Sequence, residues 1–127
     1  MTNGIFEAIG QLELECIEAG LEFRRRTAAI AKLKEEFQEL LSALEFESPQ
    51  RQETELADLL YMLVVICRLY ELDAEAGVKE CAAKLQRRIA AMQSLSLVPI
   101  RILSDDEQTE LLKQVKNKEK LGGDRDA

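Results

Sequence analysis

Two pairs of carboxylates stand out by their spacing: Glu36 with Glu39, and Glu55 with Asp58, each three residues apart. On a helix, side chains at i and i+3 emerge on one face, so each pair can hold one side of a metal site. Four convergent carboxylates repel one another and raise one another's pKa, and a hard divalent cation with oxygen ligands reverses that penalty. Magnesium is the natural occupant, with manganese as a second choice. The rival reading is a set of solvated helix faces. Glu is abundant, Glu15/Glu18 and Glu107/Glu110 repeat the spacing, and Glu53 and Glu55 suit the first turns of a helix through its dipole. Asp58 weighs against that reading, because it falls where the surrounding segment is apolar on every side of a helix. A carboxylate there needs a partner, a cation or exposure in a cleft.

Cations that suit phosphate oxygens lie further along the chain. Lys84 and Arg88 are i and i+4 at the border of a stripe containing Leu85, with Arg87 beside them. The plainer alternative is a solvent-facing basic patch paired with Glu80 or the acidic surface. A second basic group, Arg24-Arg25-Arg26 with Lys32 and Lys34, can approach a triphosphate, although a charged connector is more often simply solvated.

The chain contains no histidine. Ser-His-Asp and Cys-His nucleophile systems and the HExxH metal helix are therefore excluded, and catalysis must rest on carboxylates, lysines or a metal. A net charge of −7 repels a phosphate backbone, so a nucleic acid polymer is not an expected partner. No segment reaches the roughly 20 apolar residues of a membrane helix, and residues 1–20 carry acidic groups where a signal peptide has a basic start. A cytoplasmic protein with no membrane partner is expected. Cys16, Cys67 and Cys81 lack CxxC spacing and fall beside apolar helical positions, which predicts buried reduced thiols.

The elements that must position these groups are helical. Apolar residues at 46%, charged residues at 32% and few glycines, prolines or aromatics favour helices over turn-rich sheets. The predicted fold is all-α: an antiparallel bundle of about four main helices, completed by oligomerisation, with a short C-terminal helical extension. Residues 1–93 are expected to form the catalytic domain and 94–127 the extension.

Helix one is expected from a cap at Asn3 to a stop at Gly20. Helix two is expected from a cap at Thr27 to Glu45–Glu47, with Ile30, Leu33, Phe37, Leu40, Leu41 and Leu44 as its core stripe. Ser48-Pro49 predicts the start of helix three, since Ser caps and Pro fits a first turn. Its apolar residues run all round from Leu56 to Leu72, which implies burial in part by a second subunit. Asp73 can cap helix four, with Val78, Cys81, Leu85, Ile89 and Met92 as a stripe ending near Gln93. Ser94–Leu103 reads as extended, Ser104–Glu107 as a capping box opening a helix to about Asn117, and Gly122–Ala127 as disordered.

Three segments in order carry a resemblance: Lys34-Glu35-Glu36-Phe37-Gln38-Glu39-Leu40, Glu55-Leu56-Ala57-Asp58-Leu59-Leu60-Tyr61, and Lys84-Leu85-Gln86-Arg87-Arg88. Over roughly residues 28–90 the chain resembles the MazG-like all-α nucleoside triphosphate pyrophosphohydrolases. The resemblance implies a hydrolase that takes a (deoxy)nucleoside triphosphate to the monophosphate and pyrophosphate in nucleotide-pool housekeeping, while the all-round apolar helix three is what predicts a homodimer or homotetramer. The resemblance also implies magnesium on Glu36, Glu39, Glu55 and Asp58, water activation by Glu35 or Glu39, and phosphate contacts from Lys84, Arg87 and Arg88. Helix three also resembles the phosphoribosyl-ATP pyrophosphohydrolases, but Met62 stands where those enzymes commonly have His. No Trp is present to stack on a base. A non-catalytic dimeric helical module is the alternative from another class.

Overall fold

The computed structural model describes residues 4–122. They form α1 (Ile5–Glu18), α2 (Arg26–Phe46), α3 (Pro49–Tyr70), α4 (Ala74–Leu95) and α5 (Asp105–Leu121), with a 3-10 turn at Ile100–Ile102 and no strand among the described residues. The all-α expectation therefore holds. Local chemistry explains the sharpest boundaries. The Ser48 hydroxyl accepts from the Arg51 amide with Pro49 in the first turn of α3. Ser104 and Glu107 cap α5 reciprocally, the hydroxyl accepting from the Glu107 amide and the Glu107 carboxylate from the Ser104 amide. Gly20, just beyond α1, adopts φ +100, a conformation that glycine enters without a Cβ penalty.

Several expected boundaries move. Thr27 is not the cap of α2: Arg25 occupies that position without a side-chain hydrogen bond, so the helix starts on packing rather than on capping. α4 runs on to Leu95, the expected extended connector contains the 3-10 turn, and α5 continues to Leu121. The expected Asn3 cap and nearly all of the expected disordered tail lie outside the described residues.

The chain divides into two compact units between Asp73 and Ala74. In the first, α2 and α3 are joined by two residues and lie antiparallel. Glu36 meets Glu55, and Ala29 shares a core with Met62, so two turns back along α2 correspond to two turns forward along α3. That core holds Ala29, Met62 and Val65, with Phe23, Leu33, Tyr61, Ile66 and Leu69 packed against it. At its end Arg26 lies 4.4 Å from the centroid of the Tyr70 ring and donates through Nε to the Leu69 carbonyl at 3.2 Å.

Helix α1 packs on α3. Arg68 donates to the buried Glu13 carboxylate at 2.7 Å and to the Phe23 carbonyl at 3.0 Å, tying α1 and the following connector to α3. Cys16 and Cys67 are half-buried free thiols, as the apolar surroundings predicted in part, whereas Cys81 is exposed.

In the second unit α4 packs on α5. Leu111 and Val115 of α5 are buried, and the Arg88 guanidinium makes a two-pronged ion pair with Glu119 at 2.9–3.2 Å. The expected α4 stripe is largely uncovered in the single chain, with Val78, Leu85 and Ile89 exposed. The described residues contain no helix long and apolar enough to cross a membrane.

Candidate active site

The face of α2 that meets α3 takes in only part of the stripe expected from periodicity: Leu33 packs against the core and Ile30 and Leu40 are half-buried. Its buried residues are Ala29, Glu36 and Ala43, spaced by seven, while Phe37, Leu41 and Leu44 stay exposed. Alanines above and below Glu36 let the two helices approach closely, and the carboxylate sits in the middle of that contact. On α3 the matching line carries Glu55 and Met62, also seven apart and buried.

Two groups of carboxylates close enough to share a cation result. Oxygens of Glu36, Glu55 and Asp58 lie within 4.8 Å of one another, as do oxygens of Glu35, Glu36 and Glu39, so Glu36 belongs to both. Glu36 and Glu55 are 7% and 4% exposed, and Asp58, Glu35 and Glu39 open to solvent at the rim. Asp58 is thus accommodated by exposure beside two buried carboxylates.

Two cations answer part of this charge. Lys32 Nζ lies 2.7 Å from Glu35 Oε2 and 3.1 Å from Glu36 Oε2, and Arg51 Nη2 donates to Glu55 Oε2. The remaining oxygen of each buried carboxylate, Oε1 of Glu36 and Oε1 of Glu55, is inaccessible and has no hydrogen-bond partner. A buried anionic oxygen left bare is costly unless something else approaches it. A hard divalent cation takes such oxygen ligands, and Glu36, Glu55 and Asp58 bring oxygens close enough to share one, so the donor set fits such an ion.

The electrostatics carry the same signature. The Glu39 carboxyl is pushed above its ordinary range, first by the charge of Glu36, then by loss of hydration and by the charges of Glu55 and Glu35. The Glu35 carboxyl is held below it by the hydrogen bond and charge of Lys32, and the Lys32 ammonium is pushed well above its usual value by Glu35 and Glu36.

Residues 24–92, more than half of the 127-residue chain, match the family model of the MazG nucleotide pyrophosphohydrolase domain. The chain belongs to the MazG family. No curated protein matches it. Membership brings with it nucleotide pyrophosphohydrolase activity as the family's chemistry, and the acidic cluster lies inside the matched MazG segment.

The structure brings Glu36 together with Glu55 and Asp58 on one side and with Glu35 and Glu39 on the other. Lys84, Arg87 and Arg88 are on α4 in the second unit, where Arg88 is 6% exposed and engaged by Glu119. Arg87 lines a cavity of about 610 Å³ in that unit with Lys118 and Glu119. Lys32 and Arg51 were not singled out as partners of the carboxylates by sequence reasoning. The signal was present, since each precedes its glutamate by one helical turn. Glu119, distant in sequence and beyond the MazG match, offered no such signal.

Proposed function

We propose that this protein is a magnesium-dependent nucleotide pyrophosphohydrolase that converts a (deoxy)nucleoside triphosphate to the monophosphate and pyrophosphate. The single observation that carries the reading is the pair of buried carboxylate oxygens, Glu36 Oε1 and Glu55 Oε1, with no partner inside a MazG-family segment. In this reading Glu36, Glu39, Glu55 and Asp58 hold the cation. When bound, magnesium neutralises phosphate charge and makes a water more acidic. Manganese fits the same oxygen donors.

The chain's own residues then do the rest. Glu36 and Glu55, fixed in the helix contact, keep the donor oxygens in place. Glu39 or Glu35, open at the rim, accepts the proton of the attacking water as its oxygen bonds to phosphorus and the bond to the bridging oxygen between the α and β phosphorus atoms breaks. Lys84, Arg87 and Arg88 are the proposed cations for phosphate oxygens, with Glu119 fixing the orientation of Arg88.

Residues 1–93 form the catalytic domain in this proposal and 94–127 an extension. The protein acts in the cytoplasm as a homodimer or homotetramer, in which a second copy covers exposed Phe37, Leu41 and Leu44. A phosphoribosyl-ATP substrate is not favoured, because Met62 is a core residue at 3% exposure and contributes no polar group. A purely structural module leaves the bare buried oxygens without a purpose.

The test is pyrophosphate release from a panel of ribo- and deoxyribonucleoside triphosphates with magnesium, with Glu39→Gln and Asp58→Asn as controls. Metal-dependent turnover of at least one substrate by the wild type, lost in the controls, is expected. No turnover on any member of the panel overturns the enzyme reading.

A further inference from the structure

Two helices each present the same local device. On α2, Lys32 stands four residues before Glu36 and binds its Oε2; on α3, Arg51 stands four residues before Glu55 and binds its Oε2. In both, Oε1 is the atom left buried and bare. Because the helices run antiparallel with Glu36 opposite Glu55, the two cations flank the carboxylates from opposite ends of the site, Lys32 at the level of Asp58 and Arg51 at the level of Glu39.

Ordinary helix stabilisation does not explain this arrangement well. Between residues four apart, a glutamate preceding the cation is the more stabilising order, and both pairs run the other way. A carboxylate also has two equivalent oxygens and rotates about its last bond, so an unrestrained Glu can present either oxygen or both. A cation fixed on one of them removes that freedom.

We propose that Lys32 and Arg51 are positioning residues of the cation site, each holding Oε2 of its glutamate so that Oε1 is offered to the metal as a single, oriented donor. This rests on the reading of the acidic cluster as a metal site. It parallels the general behaviour of metal ligands, whose orientation depends on the groups that bond their other polar atoms, and loss of such a group typically costs about 10–100-fold in affinity. Simple electrostatics makes the opposite prediction, since removing a positive charge beside a cation site favours cation binding.

That opposition defines the experiment. Manganese binding to the full chain is titrated by the electron paramagnetic resonance signal of the free ion, for the wild type, Lys32→Met and Arg51→Met. Each variant is expected to bind on the order of tenfold more weakly, and Lys32→Arg and Arg51→Lys, which retain the hydrogen-bonding cation, are expected to recover most of the loss. Circular dichroism and metal-free melting establish that each chain is folded, and Lys32→Gln and Arg51→Gln serve where a Met variant is not. Affinity unchanged or raised in a folded variant overturns the proposal for that residue. A wild type that binds no manganese overturns the metal site itself, a result distinguishable from the failure of the clamp alone.

Discussion

Glu36 of α2 and Glu55 of α3 face each other across the helix contact, each more than nine-tenths buried and each with Oε1 lacking any hydrogen-bond partner. Two such atoms in one place carry a large desolvation cost for a small helical protein, and the proposed cation is what offsets it.

Asp58 is exposed and shares the cluster with Glu36 and Glu55, so its charge can be removed without disturbing the packing. Asp58→Asn is expected to leave metal-free stability within about 0.5 kcal/mol. It is expected to reduce the magnesium-induced rise in melting temperature, which comes from binding to the folded state alone. Melting curves with and without magnesium check this, and an undiminished rise in the variant places the cation elsewhere.

The Arg68–Glu13 pair joins α1 to α3 with Glu13 buried and Arg68 partly open to solvent. Arg68→Met leaves that carboxylate unpaired and is expected to destabilise the chain by about 2–3 kcal/mol, between the value of a charged hydrogen bond and that of a fully buried pair. Urea unfolding measures it, and a loss below experimental error contradicts the assigned role.

Glu71 ends α3 with φ 55, a left-handed conformation, while its amide bonds the Arg68 carbonyl. A side chain meets a steric penalty there that glycine does not. Glu71→Gly is therefore expected to stabilise the protein by roughly 0.5–1 kcal/mol, net of the extra freedom it gives the unfolded chain. Destabilisation in urea denaturation contradicts this.

The Tyr61 phenol is pushed up from 10.0 to about 12, first by burial and then by its hydrogen bond to Cys16 and the charges of Cys16 and Glu13, with Arg68 opposing. The folded protein thus keeps this proton at pH values where the unfolded chain releases it. The stability it confers is complete below pH 10.0 and is lost as pH rises toward 12. Tyr61→Phe is expected to flatten that part of the stability–pH profile, and an identical slope in the variant refutes the shift.

Local chemistry was legible in the sequence. Ser48-Pro49 and Ser104 with Glu107 start helices as their residue types require, and the spacing of the carboxylates marked the acidic cluster. The packing face of α2 was legible only in part: hydrophobic periodicity found Leu33, which packs on the core, and half-buried Ile30 and Leu40, but it also pointed to Phe37, Leu41 and Leu44, which stay exposed. The actual contact uses two alanines and a glutamate, chosen for close approach rather than apolar area. Pairs distant in sequence were also hidden: Glu13 with Arg68 across 55 residues and Arg88 with Glu119 across 31 require the tertiary fold before they can be seen. The Lys32 and Arg51 contacts were within reach of helical spacing but look the same as surface ion pairs until the burial of their glutamates is known.

Glu36 and Glu55 are proposed to bind a divalent cation together, and the rest of the site's chemistry depends on that binding. Its most direct test is equilibrium manganese titration of the wild type beside Glu55→Gln, a near-isosteric change that keeps the side chain's bulk and removes its charge. Saturable binding by the wild type, weakened by on the order of a hundredfold in the variant, is the expected result, a loss at the upper end of that seen even for groups that only orient a ligand. Equal affinity in the two proteins contradicts the claim.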